Sequence, residues 1–260
     1  MYVVKPGNGK LLAMRVASLV PSLTETLFAL GAGESVVGIT DWCIFPAGLQ
    51  LPRVGGTKNP DIEAIRALRP DLVYVNIEEN LKRHADEIVK FARVVATEPK
   101  TIDDVRELFT MLAEIHQRDA TPLIDALQRE LEAMPKRAFT FAVPIWKKPW
   151  MWSGGDTYVS HLVEAAGGTN VLAARDRYPA IDLDDVRALK PDVIFMPDEP
   201  YAFTDDDARA VNAIGPFPGH LFTWHGVRTI EGLRFLRAAT IPAVPRPTSA
   251  ASLPPHPAAS

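Results

Sequence analysis

Ile65–Val75 reads IRALRPDLVYV and Val186–Met196 reads VRALKPDVIFM, nearly the same eleven residues at an offset of 121 positions. Ile62, Ile65 and Leu68 in the first copy, and Leu183, Val186 and Leu189 in the second, recur every three residues, which sets them on one face of a short helix. The RP or KP pair ends that helix, because the residue before a proline is pushed out of the α region. LVYV and VIFM are continuous apolar runs with β-branched and aromatic members, the pattern of a parallel strand buried on both faces. Each copy is therefore a helix, a tight turn and a buried strand, and alternation of such units implies an α/β fold with parallel sheets wrapped by helices.

The similarity reaches upstream, where TETLFALGAGESVV (Thr24–Val37) resembles TYVSHLVEAAGGTNVL (Thr157–Leu172): a helix closing on glycines that can adopt the left-handed cap. There the offset is 135, so the first half carries about fourteen extra residues, within DWCIFPAGLQLPRVGG. Two similar Rossmann-like lobes follow, residues 10–118 and 136–240, the first with a long added loop. Between them, residues 119–135 read as one connecting helix, with Thr121 as cap and Pro122 at its first position. At 1.5 Å per residue that helix spans about 20 Å, enough to tie two lobes side by side with small cleft motions. Residues 241–260 hold six prolines and almost no large apolar side chains, the composition of a disordered tail.

Composition narrows the function. A formal net charge of -4 without a long basic run gives no footprint for nucleic acid. Cys43 is alone, so neither an internal disulfide nor a CxxC knuckle exists, and a buried spectator thiol is expected. No window approaches the roughly 18 apolar residues of a membrane span, so no membrane insertion is expected. MYVVKPGNGKLLAMRVASLVPS does not read as a secretory signal. That places the chain in the cytoplasm, or in the periplasm or at the cell surface if a leader has been removed. GxSxG, a P-loop and GxGxxG after a strand are all missing, which argues against an enzyme.

VASLVPSLTETLFALGAGESVVGIT, the loop around Pro46, RVGGTKNPDIEAIRALRPDLVYV and SGGDTYVSHLVEAAGGTNVL together resemble the helical-backbone substrate-binding proteins of iron-siderophore, haem and cobalamin importers. The cobalamin-binding branch is the most similar, over about residues 15–240. The resemblance implies a class III periplasmic-binding-protein-like fold and a non-catalytic role. It also implies a corrinoid or related metal chelate as ligand rather than cofactor, held between the lobes, and an ABC permease as partner. It sets Trp42 against a corrin ring, matches Tyr178 to an aromatic contact, and matches Glu63 and Asp184 to a pair of carboxylates, one per lobe, that dock on permease arginines.

The residues supply a reading of their own. Ligands of doubly wound sheets collect at the carboxyl ends of strands, and the loops there are aromatic-rich. Pro21-Ser22 follows the first strand, where amides at a helix start can meet an anionic or amide group, or where Ser22 or Thr24 simply caps the helix. Trp146, Trp150 and Trp152 crowd PIWKKPWMWSGG, a spacing that fits neither helix nor buried strand and suggests a platform for a large flat ligand. One of the three can instead seal the loop against the sheet. Asn76 and Tyr201 follow the duplicated strands. Trp224, His225 and Arg228 lie in TWHGVRTIEG, where His225 is a candidate axial ligand or a hydrogen-bonding residue. The other histidines show no metal-ligand spacing, so the protein alone is expected to hold no metal. Glu63 and Asp184 also complement the positive ends of their helices, as do Asp61 and Asp182. A cytosolic haem, siderophore or corrinoid chaperone or sensor, and a corrinoid-processing enzyme, are the alternative functions.

Overall fold

The structure, a computed structural model, describes residues 14–241; the expected tail at 242–260 and the start of the first lobe lie outside them. The first lobe runs β1 (Val16–Ser18), α1 (Pro21–Ala29), β2 (Val36–Ile39), α2 (Ile62–Ala67), β3 (Leu72–Asn76), α3 (Lys82–Ile88) and β4 (Arg93–Thr97). Two helices follow, α4 (Ile102–His116) and α5 (Thr121–Glu132). The second lobe runs β5 (Phe139–Ala142), the short strands β6 (Pro144–Trp146) and β7 (Met151–Trp152), α6 (Tyr158–Glu164), β8 (Gly168–Asn170), α7 (Leu183–Ala188), β9 (Val193–Pro197), α8 (Asp205–Val211), β10 (Ile214–Phe217), α9 (His220–Thr223) and α10 (Arg228–Ala238).

Both sheets are parallel, ordered β2-β1-β3-β4 and β10-β9-β5-β8. Reversing the second gives β8-β5-β9-β10, the same order in which β1 answers to β5 and β3 to β9. The repeated eleven residues thus occupy equivalent places, leading from α2 into β3 and from α7 into β9. Their turns match as well: Arg69 and Lys190, each just before the proline, sit at φ 48° and 53°. The left-handed conformation is how each chain leaves the α region there. All residues of β3 and β9 are buried, as continuous apolar runs demand.

Residues 119–135 hold one helix, α5, and α4 before it ends at Gln117, which adopts φ 52°. Thr121 does not cap α5: Ala120 holds the cap position, and the Thr121 amide donates to Asp119 Oδ1 at 2.9 Å. Each lobe has a small apolar cluster of its own, around Ile65 and Val73 in the first and Trp152 and Val186 in the second, but the largest is shared. One apolar cluster runs from Val16 and Tyr74 through Phe109 and Leu112 of α4 and Leu127 of α5 to Phe141, Phe195 and Leu233. Glu130 of α5 pairs with Arg234 at 2.7 Å and Arg237 at 3.2 Å, fastening the connector to α10.

Candidate functional site

The carboxyl ends of the strands in the two lobes meet, and polar side chains from each cross between them. His225, in the loop between α9 and α10, is buried at 5% exposure. Its Nδ1 lies 3.3 Å from Ser22 Oγ on α1, and its Nε2 lies 3.1 Å from Asn76 Nδ2 at the end of β3. The tautomer follows from Asn76. Its Oδ1 accepts from the Glu78 and Glu79 amides at 2.8 and 3.2 Å, so Nδ2 is the donor. His225 Nε2 must accept that bond, and Nδ1–H donates to Ser22. Burial pushes the ring pKa down from 6.5 to about 4, in keeping with a neutral imidazole.

Around this node lie further contacts between lobes. Arg228 Nε donates to Glu25 Oε2 at 2.7 Å, and its guanidinium sits 3.7 Å above the Phe45 ring. The Val227 amide donates to Thr26 Oγ1 at 3.1 Å. Phe45 belongs to the added loop of the first lobe and meets His220 and Trp224 edge-on at 5.2 and 5.9 Å. On another side the Tyr178 hydroxyl donates to Glu78 Oε2 at 2.8 Å, and Arg177 pairs with Glu78 at 3.0 Å and Glu98 at 3.4 Å. Glu79 keeps part of its surface open yet lies deep among protein atoms. Burial pushes its carboxyl up to about 7, helped by Glu199 and Glu78 and opposed by Lys58.

The candidate residues divide by place. Ser22, Asn76 and His225 are brought together, but as a buried node. Both ring nitrogens of His225 are engaged, which leaves no lone pair for an axial metal bond and corrects that expectation. Neither Ser22 nor Thr24 caps α1: Val20 occupies the cap position, and Thr24 Oγ1 donates to Ser18 Oγ at 2.8 Å. Pro21 is buried at the first turn of the same helix. Cys43 is buried between Thr24 and Thr40, and burial raises its thiol pKa.

The tryptophan cluster is not one platform. Trp152 is 0% exposed and its Nε1 donates to Ile181 O at 2.9 Å, because the proline-flanked stretch folds into the antiparallel pair β6–β7 and turns this indole onto the sheet. Its expected ligand contact is thereby corrected. Trp150 stacks on Trp152 at 5.5 Å and on Phe203 at 5.8 Å, and with Asp182 and Asp185 lines an open cavity of 660 Å³ beside α7, apart from the His225 node. Trp146 stays 42% exposed, edge-on to half-buried Tyr201 at 5.2 Å. Trp42, Ile44 and Ile77 of the first lobe are 63%, 54% and 56% exposed, each on a loop that follows a strand. Trp224 is half-buried against Phe45 and His220.

Glu63 and Asp184 project from the first turns of α2 and α7, 80% and 92% exposed, paired with Arg66 at 3.4 Å and Arg187 at 3.0 Å. Asp61 is the cap of α2, accepting from the Ala64 amide at 2.9 Å, whereas Asp182 holds the equivalent position without that bond. Glu25, Phe45, Glu78, Glu98 and Arg177 were missed from the sequence. The strand-end rule that picked out Asn76 would have reached Glu78 and Glu98 had it been applied two residues further.

Two duplicated parallel sheets with their strand ends turned on one another make a two-lobed α/β protein, and no helix among the described residues is long and apolar enough to cross a membrane. The periplasmic binding protein family matches residues 16–212, and the chain belongs to it. As a member it is a non-catalytic solute-binding protein. That family gives no support to the cytoplasmic placement expected from the N-terminus. The vitamin B12-binding protein of Yersinia pestis (strain Pestoides F) is 28% identical over 197 residues, covering 71% of this chain and 69% of that protein. Among solved structures, the periplasmic vitamin B12 binding protein BtuF of Vibrio cholerae superposes with a TM-score of 0.73 at 21% identity, over 85% of this chain and 94% of that one. The periplasmic heme binding protein HutB of Vibrio cholerae gives 0.75 at 18% identity, over 86% and 98%. At such identities these two likenesses show the fold alone.

Proposed function

We propose that this chain binds a corrinoid of the cobalamin type between its lobes, in the periplasm, and presents it to an ABC permease. The observation that carries the reading is the set of exposed apolar side chains in both lobes, Trp42, Ile44 and Ile77 on strand-end loops of the first and Trp146 at the end of β6 in the second. Large apolar side chains exposed beside a cleft suit a flat ring system. The vitamin B12-binding relative supports a corrin over other rings. Haem or a ferric siderophore is the second reading, favoured by the likeness to HutB.

Tryptophan fluorescence of the purified protein, titrated with cyanocobalamin, haemin and a ferric hydroxamate, tests this directly. Saturable quenching by cyanocobalamin at the lowest concentration is the expected result; preference for either other ligand overturns it. Trp42→Ala should weaken cyanocobalamin binding by about 1–3 kcal/mol with a change in folding stability within about 0.5 kcal/mol, since the indole is 63% exposed. Unchanged affinity in the folded variant would remove Trp42 from the contact set.

Glu63 and Asp184 belong to the same proposal. Duplicated lobes offer equivalent acids to the equivalent halves of a two-fold partner. Their exposed pairs with Arg66 and Arg187 contribute little to folding, so the two acids can exchange arginine partners at low cost. Glu63→Ala combined with Asp184→Ala should keep ligand affinity within about twofold and abolish stimulation of the permease ATPase in reconstituted vesicles. Normal stimulation by the double variant would return both residues to a helix-terminal role.

A further inference from the structure

Two donors of the second lobe converge on one carboxylate of the first. Arg177 Nη1 lies 3.0 Å from Glu78 Oε1, and the Tyr178 hydroxyl donates to Glu78 Oε2 at 2.8 Å. Both oxygens of Glu78 are therefore held, each by a different residue of the opposite lobe. A guanidinium beside a phenol, spaced to grip the two oxygens of one anion, is a receptor of carboxylate or phosphate shape.

The Arg177 backbone is anchored independently of Glu78. Arg177 sits at φ 56°, a left-handed conformation that a non-glycine residue keeps only when its surroundings impose it. Here the Arg177 amide donates to Asp156 Oδ1 at 2.5 Å, and its carbonyl accepts from the Gly154 amide at 2.8 Å. A Cβ at Gly154 would run into the carbonyls of Arg175 and Arg177, so that close approach needs glycine. All of these partners belong to the second lobe. Glu78 instead rides on the loop after β3, with its amide bound to Asn76 Oδ1 at 2.8 Å. Separation of the strand-end loops around a ring would carry Glu78 away with the first lobe and leave the Arg177 backbone held in the second. Arg177 is exposed, 45% at its side chain, so its ion pair with Glu78 is weak and an incoming anion can take the place of that carboxylate at low cost.

We infer that Arg177 and Tyr178 form a subsite for an anionic substituent of the ligand, a carboxylate or a phosphodiester, and that Glu78 fills this subsite when the lobes are closed on each other. The inference rests on the reading of the cleft as a solute site but not on the ring being a corrin. Glu98, 3.4 Å from Arg177 Nη1 and 3.7 Å from Lys100, is the second carboxylate that the incoming anion displaces.

The test uses two ligand pairs that share a ring and differ in anionic charge: cyanocobalamin against dicyanocobinamide, which lacks the phosphodiester, and haemin against its dimethyl ester, which lacks free carboxylates. Arg177→Met should weaken the anion-bearing member of whichever pair binds by about 10- to 100-fold and its partner by less than about twofold. Loss with cyanocobalamin alone identifies a phosphodiester, and loss with haemin alone a carboxylate. Tyr178→Phe, which keeps the ring packing, should lose part of the same discrimination and guards against a folding defect in Arg177→Met. Equal effects on both members of the pair, or none on either, would overturn the subsite. If neither ring binds the wild type, the corrinoid reading falls and the subsite is judged by inorganic phosphate, titrated into Glu78→Gln/Glu98→Gln and followed at the Arg177 Nε resonance. A saturable shift that Arg177→Met removes supports the receptor; no shift overturns it.

Discussion

Trp152→Ala is expected to destabilise the protein by about 3–5 kcal/mol, the range for truncating a fully buried aromatic side chain. The indole is 0% exposed, packs with Ala142, Leu172, Val186 and Ile194, and satisfies the Ile181 carbonyl at 2.9 Å. Alanine would leave a cavity under β6–β7 and a carbonyl short of its donor. Trp146→Ala, six positions earlier and 42% exposed, should cost less than about 1 kcal/mol. Urea denaturation of both variants checks the contrast. Equal losses would mean that the two indoles are buried alike and that the assignment of Trp152 to the core is wrong.

The second large effect is a pH dependence carried by His225. Its pKa in the folded protein, about 4, lies below the ordinary 6.5, so between these values the unfolded chain takes up a proton that the native node refuses. The contribution is complete above pH 6.5 and is lost as pH falls toward 4. At about 1.4 kcal/mol per pKa unit the loss amounts to about 3 kcal/mol. Protonation would also turn Nε2 into a donor facing the Asn76 amide donor. Total stability does not isolate this effect. His116, also near 4 through burial, adds to it, whereas Glu79, raised to about 7, gains stability as pH falls through that range. The stability difference between wild type and His225→Ala is the measure: it should shrink by about 3 kcal/mol between pH 7 and pH 4. A difference independent of pH would show that His225 is not held neutral. Nitrogen NMR of the ring should find the proton on Nδ1 down to pH 5.

The parts of the fold legible in the sequence are those governed by short-range chemistry. Three-residue spacing, a proline two places after Leu68 or Leu189, and an unbroken apolar run each constrain a neighbouring stretch, so α2–β3 and α7–β9 could be read from the repeat. Because the repeat is a whole helix–strand unit, it also carried the parallel, two-lobed class. The same local reasoning failed in PIWKKPWMWSGG. Two prolines masked β6–β7, a hairpin whose buried face depends on residues distant in sequence, Ala142 and Ile194 of the sheet and Leu172, Ile181 and Val186 beside it.

What only the tertiary structure decided is which polar residues meet. His225 finds Ser22 across 203 positions and Asn76 across 149. Arg228 reaches Glu25 across 203, and Tyr178 reaches Glu78 across 100. The sequence marked several of these side chains as facing a cleft, since strand ends are where such sites form. It did not determine that Ser22, Asn76 and His225 would satisfy one another. Hydrogen bonding between lobes depends on distances and directions set when both sheets are packed against α4, α5 and α10, and no spacing along the chain encodes that geometry.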